Sequence, residues 1–448
     1  MEIRRVFIAN RGEIALRVLR TCRQLGLGTV LGASTADLDS LPARLADRTV
    51  CIGPPRSSDS YLNANAIVHA ALATDCDALH PGYGFLSERV VLARLAEDHG
   101  LTFIGPTPAQ IDAVGDKLKA RVAAQEAGVP VVPGGAVETV DDGLALGRSI
   151  GAPLLVKAVG GGGGRGMKHV AHLKELPAAL ELASSEAGAA FGDPRVYLER
   201  YVASGRHVEV QVLGDGCGEV IHLGERDCSV QRRYQKLIEE TPAPGLPDTL
   251  RTALHDAGVA FAKSLDYRGA GTVEFLVDRG TNVFYFLEMN ARIQVEHPVT
   301  EAVTGIDLVA EQIAIAAGKG LRIAQRDVRF DGAAIEVRVN AEDPARDFQP
   351  SPGAVSEAQW PAGDGVRVDT HIASGSRVPP LYDSLLGKII AHGHDRAAAL
   401  ARLHAAVTST RIVGIHTNLA LHAQLLADPQ FAAGGVDTHW LGARLMET

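Results

Sequence analysis

Gly271-Thr-Val-Glu-Phe-Leu-Val277, Asp278-Arg-Gly280 and Asn282-Val-Phe-Tyr-Phe-Leu287 run directly into Glu288-Met-Asn-Ala-Arg-Ile-Gln-Val-Glu-His297. Two β-branched and aromatic runs about a short loop predict a hairpin. If the extended backbone continues, a period of two sends Glu288, Asn290, Arg292, Gln294 and Glu296 to one face, with Met289, Ile293 and Val295 in a core. A polar row of this kind is ordinarily a solvated sheet face, and Arg292 with Glu296 could be a single surface ion pair worth little. This row differs in carrying two carboxylates, a guanidinium and two amides, a mixture suited to a metal ion together with an anion. Glu274 is expected across the hairpin from the Glu288 end. Facing carboxylates repel unless a cation lies between them, and hard oxygen ligands with Asn290 adjacent match Mg2+ on nucleotide phosphates.

Upstream, Leu154-Leu-Val-Lys-Ala-Val159 leads into five glycines, Gly160 to Gly164, then Arg165-Gly166 and a second strand pattern, Met167-Lys-His-Val170. A Walker-type loop would end in Gly-Lys-Ser/Thr and open a helix, whereas here a helix waits until about Leu176. Strand, glycine loop, strand is the pattern of a flexible lid whose bare N–H groups close over phosphates. A plain surface turn would rarely carry the ordering entropy of five glycines. The first hundred residues alternate strand and helix: Arg5–Ala9, a helix with Ile14, Val18, Cys22 and Leu25 on one face, Thr29–Leu31, Ala78-Leu79 and Thr102–Ile104. That is a doubly wound parallel layout without the Gly-x-Gly-x-x-Gly of a dinucleotide fold. Beyond residue 330, Ala334–Asn340 is a strand with Glu336, Arg338 and Asn340 on one face, and Arg396–Val407 is an Ala-rich helix.

At 448 residues, two to four subdomains are expected. A net charge of −9 argues against nucleic acid as the main partner. Five scattered cysteines without a Cys-x-x-Cys pair read as free thiols in a reducing compartment. No apolar run approaches membrane-spanning length and the N-terminus lacks a signal-peptide core, so a cytoplasmic protein that binds no membrane is expected.

The stretches Ile8–Ala15, His80-Pro-Gly-Tyr-Gly-Phe-Leu-Ser-Glu88, Gly160–Met167, Glu225–Arg233, Glu288–Thr300, Asn340-Ala-Glu-Asp343 and Tyr382–Lys388 together resemble biotin carboxylase, the ATP-grasp subunit of biotin-dependent carboxylases, from end to end. The resemblance implies a mixed α/β and α+β chain. It has an N-terminal Rossmann-like domain over 1–114, an ATP-grasp domain over 115–330 with a mobile glycine-rich lid at about 131–203, and a C-terminal biotin carboxylase domain over 331–448. It implies ATP, Mg2+ or Mn2+ as cofactors and biotin as a carrier-bound substrate, carboxylated by bicarbonate through carboxyphosphate. By position, Lys117, Lys157, Gly163, Gly164, Glu199, Arg200, Tyr201, Val202, His207, Tyr234, Glu274 and Glu288 would hold ATP, and Glu274, Glu288 and Asn290 the metal. Lys236, Arg292, Gln294, the Val295 backbone and Glu296 would hold bicarbonate, with Glu296 as general base, and Arg338 would face biotin. Lys236, Arg292, Glu296 and Arg338 form the implied catalytic set.

Tyr234 stands where the family commonly has His, Ala291 where Thr is common and Val159 where Ser is common; no charged catalytic group is lost. Taken alone, His207 reads as a satisfied core histidine and Cys228 as a packed thiol. With no Met-Lys-Met motif near the C-terminus, biotin is expected on a separate carrier protein, with a carboxyltransferase completing the cycle and a homodimer as the assembly. Acetyl-CoA carboxylase is the expected setting, with propionyl-CoA, pyruvate or another acceptor as alternatives. Another ATP-grasp ligase should lack Arg-Ile-Gln-Val-Glu-His. A non-catalytic nucleotide-binding subunit should have lost one of Lys236, Arg292, Glu296 or Arg338.

Overall fold

The computed structural model describes residues 2–160 and 167–447. Arg5–Ile8, Gly28–Ser34, Arg48–Gly53, Ala78–His80 and Thr102–Phe103 form a five-stranded parallel sheet in the order third, second, first, fourth, fifth. Strand order reverses beside Arg5–Ile8, and such a switch point opens a crevice at the strands' carboxyl ends. The loops that leave there, Ala9–Arg11 and Pro81–Arg89, reach the cavity described below. Asn10 Nδ2 ties them together by donating to the Pro81 and Tyr83 carbonyls at 2.7 and 2.8 Å. Gly82 is required at this join: its φ is +63°, and a Cβ would lie 2.9 Å from Asn10 Nδ2. The expected helix spans Gly12–Gln24, so Leu25 falls just past its end and is exposed rather than on the buried face.

A second sheet of four strands, Gly134–Val137, Val196–Arg200, Leu154–Ala158 and Lys168–Val170, carries helices Val140–Ile150 and Leu176–Phe191. It closes a small core of its own about Leu154, Val156, Val170, Leu176, Leu180 and Leu198. The glycine loop between the strands Leu154–Ala158 and Lys168–Val170, with Gly163 and Gly164, lies outside the described residues.

The largest sheet has eight strands, in the order Phe284–Asn290, Arg268–Asp278, Gly205–Asp215, Val220–Arg232, Gln235–Thr241, Ala333–Asn340, Leu385–Gly393, Val366–Thr370. The central and C-terminal segments therefore share one antiparallel sheet, joined where Gln235–Thr241 pairs with Ala333–Asn340. On one side Val208, Val210, Val273 and Phe275 pack with Leu254 and Phe261 of the helix Asp248–Ser264. The polar face that this packing leaves carries the site.

Candidate active site

Register places the site's carboxylates in a row. Glu288 is paired with Glu274, Glu274 with Glu209, and Glu209 with Arg226, so adjacent strands present three glutamates and one arginine side by side. Like charges directly opposite destabilise a sheet unless cations intervene, and here they do. Lys236 Nζ reaches Glu209 Oε2 at 2.6 Å, Glu274 Oε1 at 3.1 Å and Glu296 Oε1 at 2.6 Å. Arg226, fully buried, donates from Nε to Glu209 at 2.6 Å and from Nη1 to Gln211 and Thr300.

The polar row after the hairpin departs from the expectation. The strand ends at Asn290; residues 291–296 run as an irregular turn, and Glu296 sits at the N-cap position of the helix His297–Thr304. Period two therefore does not organise Arg292, Gln294 and Glu296. Long-range hydrogen bonds do. Arg292 Nε donates to Glu88 Oε2 at 2.8 Å, its Nη1 to Gln294 Oε1 at 2.8 Å and its Nη2 to Asn290 Oδ1 at 2.5 Å. Gln294 and Asn290 donate in turn to Glu274 Oε1 at 3.1 and 3.0 Å. Ile293 is fully buried as expected, whereas Val295 is only half-buried, and its carbonyl accepts from Lys388 Nζ at 2.6 Å. The simple Arg292–Glu296 pair does not form: Arg292 pairs with Glu88, and Glu296 with Lys236 and Arg338.

Glu296 is fully buried, with Arg338 Nη2 at 2.8 Å and Lys236 at 2.6 Å. Burial would raise its pKa, but Lys236, Arg338 and Arg226 outweigh it and hold the carboxyl well below the usual range. Arg338 also gives its Nε to Glu239 Oε1 at 2.6 Å. Glu274 has the same balance: burial opposed by Lys236 and by His207, whose Nε2 lies 3.0 Å from Oε2, leaving it lowered. His207 is thus a partner of the site rather than a bystander. Cys228 Sγ is 3.9 Å from Glu296 Oε1, and burial together with the Glu209 charge drives its pKa upward, so it is a packed thiol.

A cavity of about 960 Å3 opens over this face. Of the residues singled out from sequence, Lys117, Lys157, Glu199, Arg200, Tyr201, Val202, His207, Tyr234, Lys236, Glu274, Glu288, Asn290, Arg292, Gln294, Val295 and Arg338 all line it. Glu296 lies behind the lining, reached through Lys236 and Arg338. Lys157 and Arg121 pair with Glu199 at 2.9 and 2.8 Å, fixing the strand edge that leads to Tyr201 and Val202. Burial lowers the Lys157 pKa, but Glu199 and Tyr197 more than offset that, so its ammonium stays charged. Lys117 opens the helix Lys117–Glu126, which Asp116 caps, and its Nζ is 3.6 Å from Glu288 Oε2. Tyr234 projects from a tight turn at φ +66° and is more than half exposed at the rim.

Glu274 and Glu288, paired across the hairpin, and Asn290, two residues along from Glu288 and paired with Thr272, supply hard oxygen donors of the kind that suits a Mg2+ or Mn2+ ion. Sequence reasoning missed Glu209, Arg226, Glu88 and Lys388. Glu209 was within reach, two residues from His207 on a strand; the other three stand in stretches that carry the family resemblance, but only contacts distant along the chain tie them to the site.

Comparison with known proteins agrees with this geometry. Residues 2–111 match the biotin carboxylase N-terminal domain, 116–324 the ATP-binding domain of the carbamoyl-phosphate synthase L chain, and 336–443 the biotin carboxylase C-terminal domain. A biotin carboxylase of Nostoc sp. is 51% identical over 98% of this chain and 99% of its own length. The biotin carboxylase of Campylobacter jejuni, solved as a βγ-ATP complex, superposes with a TM-score of 0.96 at 45% identity, covering 99% of both chains. The biotin carboxylase domain dimer of the Hydrogenobacter thermophilus 2-oxoglutarate carboxylase, solved with MgADP, ADP and bicarbonate, gives a TM-score of 0.95 at 43% identity over 99% of this chain and 98% of that one. The chain belongs to the biotin carboxylase family of ATP-grasp ligases, enzymes of ATP-dependent biotin carboxylation.

Proposed function

We propose that the four residues Lys236, Arg292, Glu296 and Arg338 perform the chemistry of a biotin carboxylase whose biotin arrives on a separate carrier protein. The observation that carries the reading is a fully buried carboxylate, Glu296, clamped between Lys236 and Arg338 beneath a cavity large enough for a nucleotide. Bicarbonate enters beside Arg292 and Gln294, meets the Val295 N–H and competes for Lys236. A carboxylate stripped of a cationic donor becomes more basic. Glu296 then takes the bicarbonate O–H proton as the bicarbonate oxygen attacks the γ-phosphorus, the bond to the ADP oxygen breaks and carboxyphosphate forms. Lys117, Lys157 and Lys236 offset phosphate charge in reach of Glu199–Val202 and His207. A divalent ion at Glu274, Glu288 and Asn290 would supply further neutralisation of phosphate charge. In the second step Arg338 faces the ureido oxygen of biotin as negative charge develops there, while N1′ gives its proton to the departing phosphate, the carboxyl carbon bonds to N1′ and the carbon–oxygen bond to phosphate breaks.

The acceptor we assign is acetyl-CoA, in fatty acid synthesis, with carrier and carboxyltransferase as separate partners, a homodimeric assembly and a cytoplasmic setting. Two observations support this. Identity is 51% to the Nostoc protein named simply as a biotin carboxylase and 43% to the biotin carboxylase domain of a 2-oxoglutarate carboxylase, which favours a separate subunit over that acceptor. No helix among the described residues is long and apolar enough to cross a membrane. The test is ATP turnover by the full chain with free biotin and bicarbonate, followed by reconstitution with carrier and carboxyltransferase. Malonyl-CoA as product bears the acceptor out. Methylmalonyl-CoA or oxaloacetate would replace it, and ATP turnover indifferent to bicarbonate and biotin would sink the whole reading.

A further inference from the structure

The segment His80–Glu88 contributes a residue to the site from outside the cavity. Glu88 does not line the reaction cavity; it borders a smaller neighbouring one of about 460 Å3. Its Oε1 accepts the Ala291 N–H at 2.9 Å and its Oε2 accepts Arg292 Nε at 2.8 Å. One carboxylate thereby holds both the backbone where the strand Phe284–Asn290 ends and the side chain of the next residue. The other acceptors on Arg292 are neutral: Asn290 Oδ1, Gln294 Oε1 and the Ile293 carbonyl. Glu88 is itself rigidly placed. Its loop carries positive φ at Gly82, Gly84 and Phe85, Ser87 N–H bonds the Gly84 carbonyl, Leu86 and Ser87 are buried, and the Phe85 ring stacks on Tyr61 at 5.0 Å.

We infer that Glu88 is a positioning residue for bicarbonate: by occupying the Nε edge of Arg292, it turns the terminal nitrogens toward the cavity beside Gln294. A guanidinium presents two distinct edges, and fixing one by a charge-assisted pair decides which edge meets a planar anion. Glu88 belongs to the N-terminal segment, whereas Arg292 follows the hairpin. The parallel domain therefore sets an anion-binding group of the central one.

This inference rests on Arg292 binding bicarbonate, and the experiment separates the two. In the full chain with free biotin, Glu88→Ala should raise the bicarbonate KM about tenfold, the size expected for losing one partly exposed charge-assisted pair. The KM for ATP and kcat should change less, staying within about threefold, because the pair reaches the nucleotide side only through Asn290 and does not touch Glu296. Glu88→Gln, which keeps the shape and one acceptor, should raise it about threefold and carries the test should the alanine variant fold poorly. In an Arg292→Ala background, Glu88→Gln should add nothing to the bicarbonate KM. Two results overturn the inference while leaving the site reading intact: a Glu88 effect spread equally over the ATP and bicarbonate KM, or one that persists undiminished without Arg292. A bicarbonate KM that Arg292→Ala leaves unchanged overturns both.

Discussion

Two sets of buried glutamates gathered at the eight-stranded sheet have opposite fates. Glu274 and Glu296 are surrounded by donors: Lys236 serves both, with His207, Asn290 and Gln294 on the first and Arg338 on the second. Burial pushes each pKa up, yet these charges prevail and both are held ionised. A few residues away Glu239 and Glu336 face each other across the strand pair Gln235–Thr241 and Ala333–Asn340, also fully buried. Among the described residues, Glu239 has Arg338 on one oxygen and no hydrogen-bond partner on the other, while neither oxygen of Glu336 has one. Burial there outweighs Arg338, lifting Glu239 to about 7, and outweighs Lys388 to raise Glu336 well above its ordinary value. The burial is alike, so the supply of cations separates carboxyls whose pKa is lowered from carboxyls whose pKa is raised.

The contrast breaks most visibly at Glu296. Glu296→Gln should cost about a thousandfold or more in biotin-dependent turnover, the scale of a lost general base, while ADP still binds by calorimetry. Near-normal turnover would remove Glu296 from the mechanism. Next comes Lys236→Met, which leaves Glu209, Glu274 and Glu296 without their shared ammonium. Removing one partner of a buried ionic cluster costs about 3–5 kcal/mol, read as a large drop in denaturant midpoint. Glu336→Gln should be far milder, within about 1 kcal/mol, since an amide replaces a group already neutral; a loss as large as that of Lys236→Met would mean that Glu336 is charged.

The pH dependence sharpens the contrast further. Glu239 keeps its proton in the folded chain up to about 7 and loses it near 4.5 when unfolded. Its contribution to stability is therefore full below its unfolded value and declines as pH rises through about 7. Glu239→Gln should flatten the fall in stability across that window, and an unchanged slope would contradict the assignment. The smallest effect belongs to Cys228→Ala, which should leave kcat within about twofold because the thiol neither attacks substrate nor supplies Glu296 with charge.

Much of the ionised half was legible in the sequence. The hairpin, the Glu274–Glu288 pairing and the strands on either side of the glycine loop follow from period, turn residues and composition acting over a few residues. The turn at 291–296 was not legible, because Ala291, Arg292 and Ile293 are compatible with a strand. Where the strand ends, the Ala291 N–H is taken by Glu88, distant along the chain, instead of by a neighbouring strand. Likewise, nothing local shows that Glu239 meets Glu336, since that pairing arises only where two chain segments complete one sheet. Leu25 was misplaced for a simpler reason: its apolar spacing continues past a helix that stops at Gln24. Family resemblance named the groups proposed to touch substrate, and the geometry added Glu209, Arg226 and Glu88 that hold them.

The central claim is that Glu296 stands charged beside Glu336, whose pKa is raised well above the ordinary carboxyl value, with Glu239 between them at about 7. Isotope-edited infrared spectroscopy at neutral pH, with carboxyl-labelled glutamate, reads this directly through the C=O stretch of buried protonated carboxyls. The predicted result is a band that is present in the native protein, is lost or weakened in Glu336→Gln and is unchanged in Glu296→Gln. A band that survives Glu336→Gln and disappears with Glu296→Gln would contradict it.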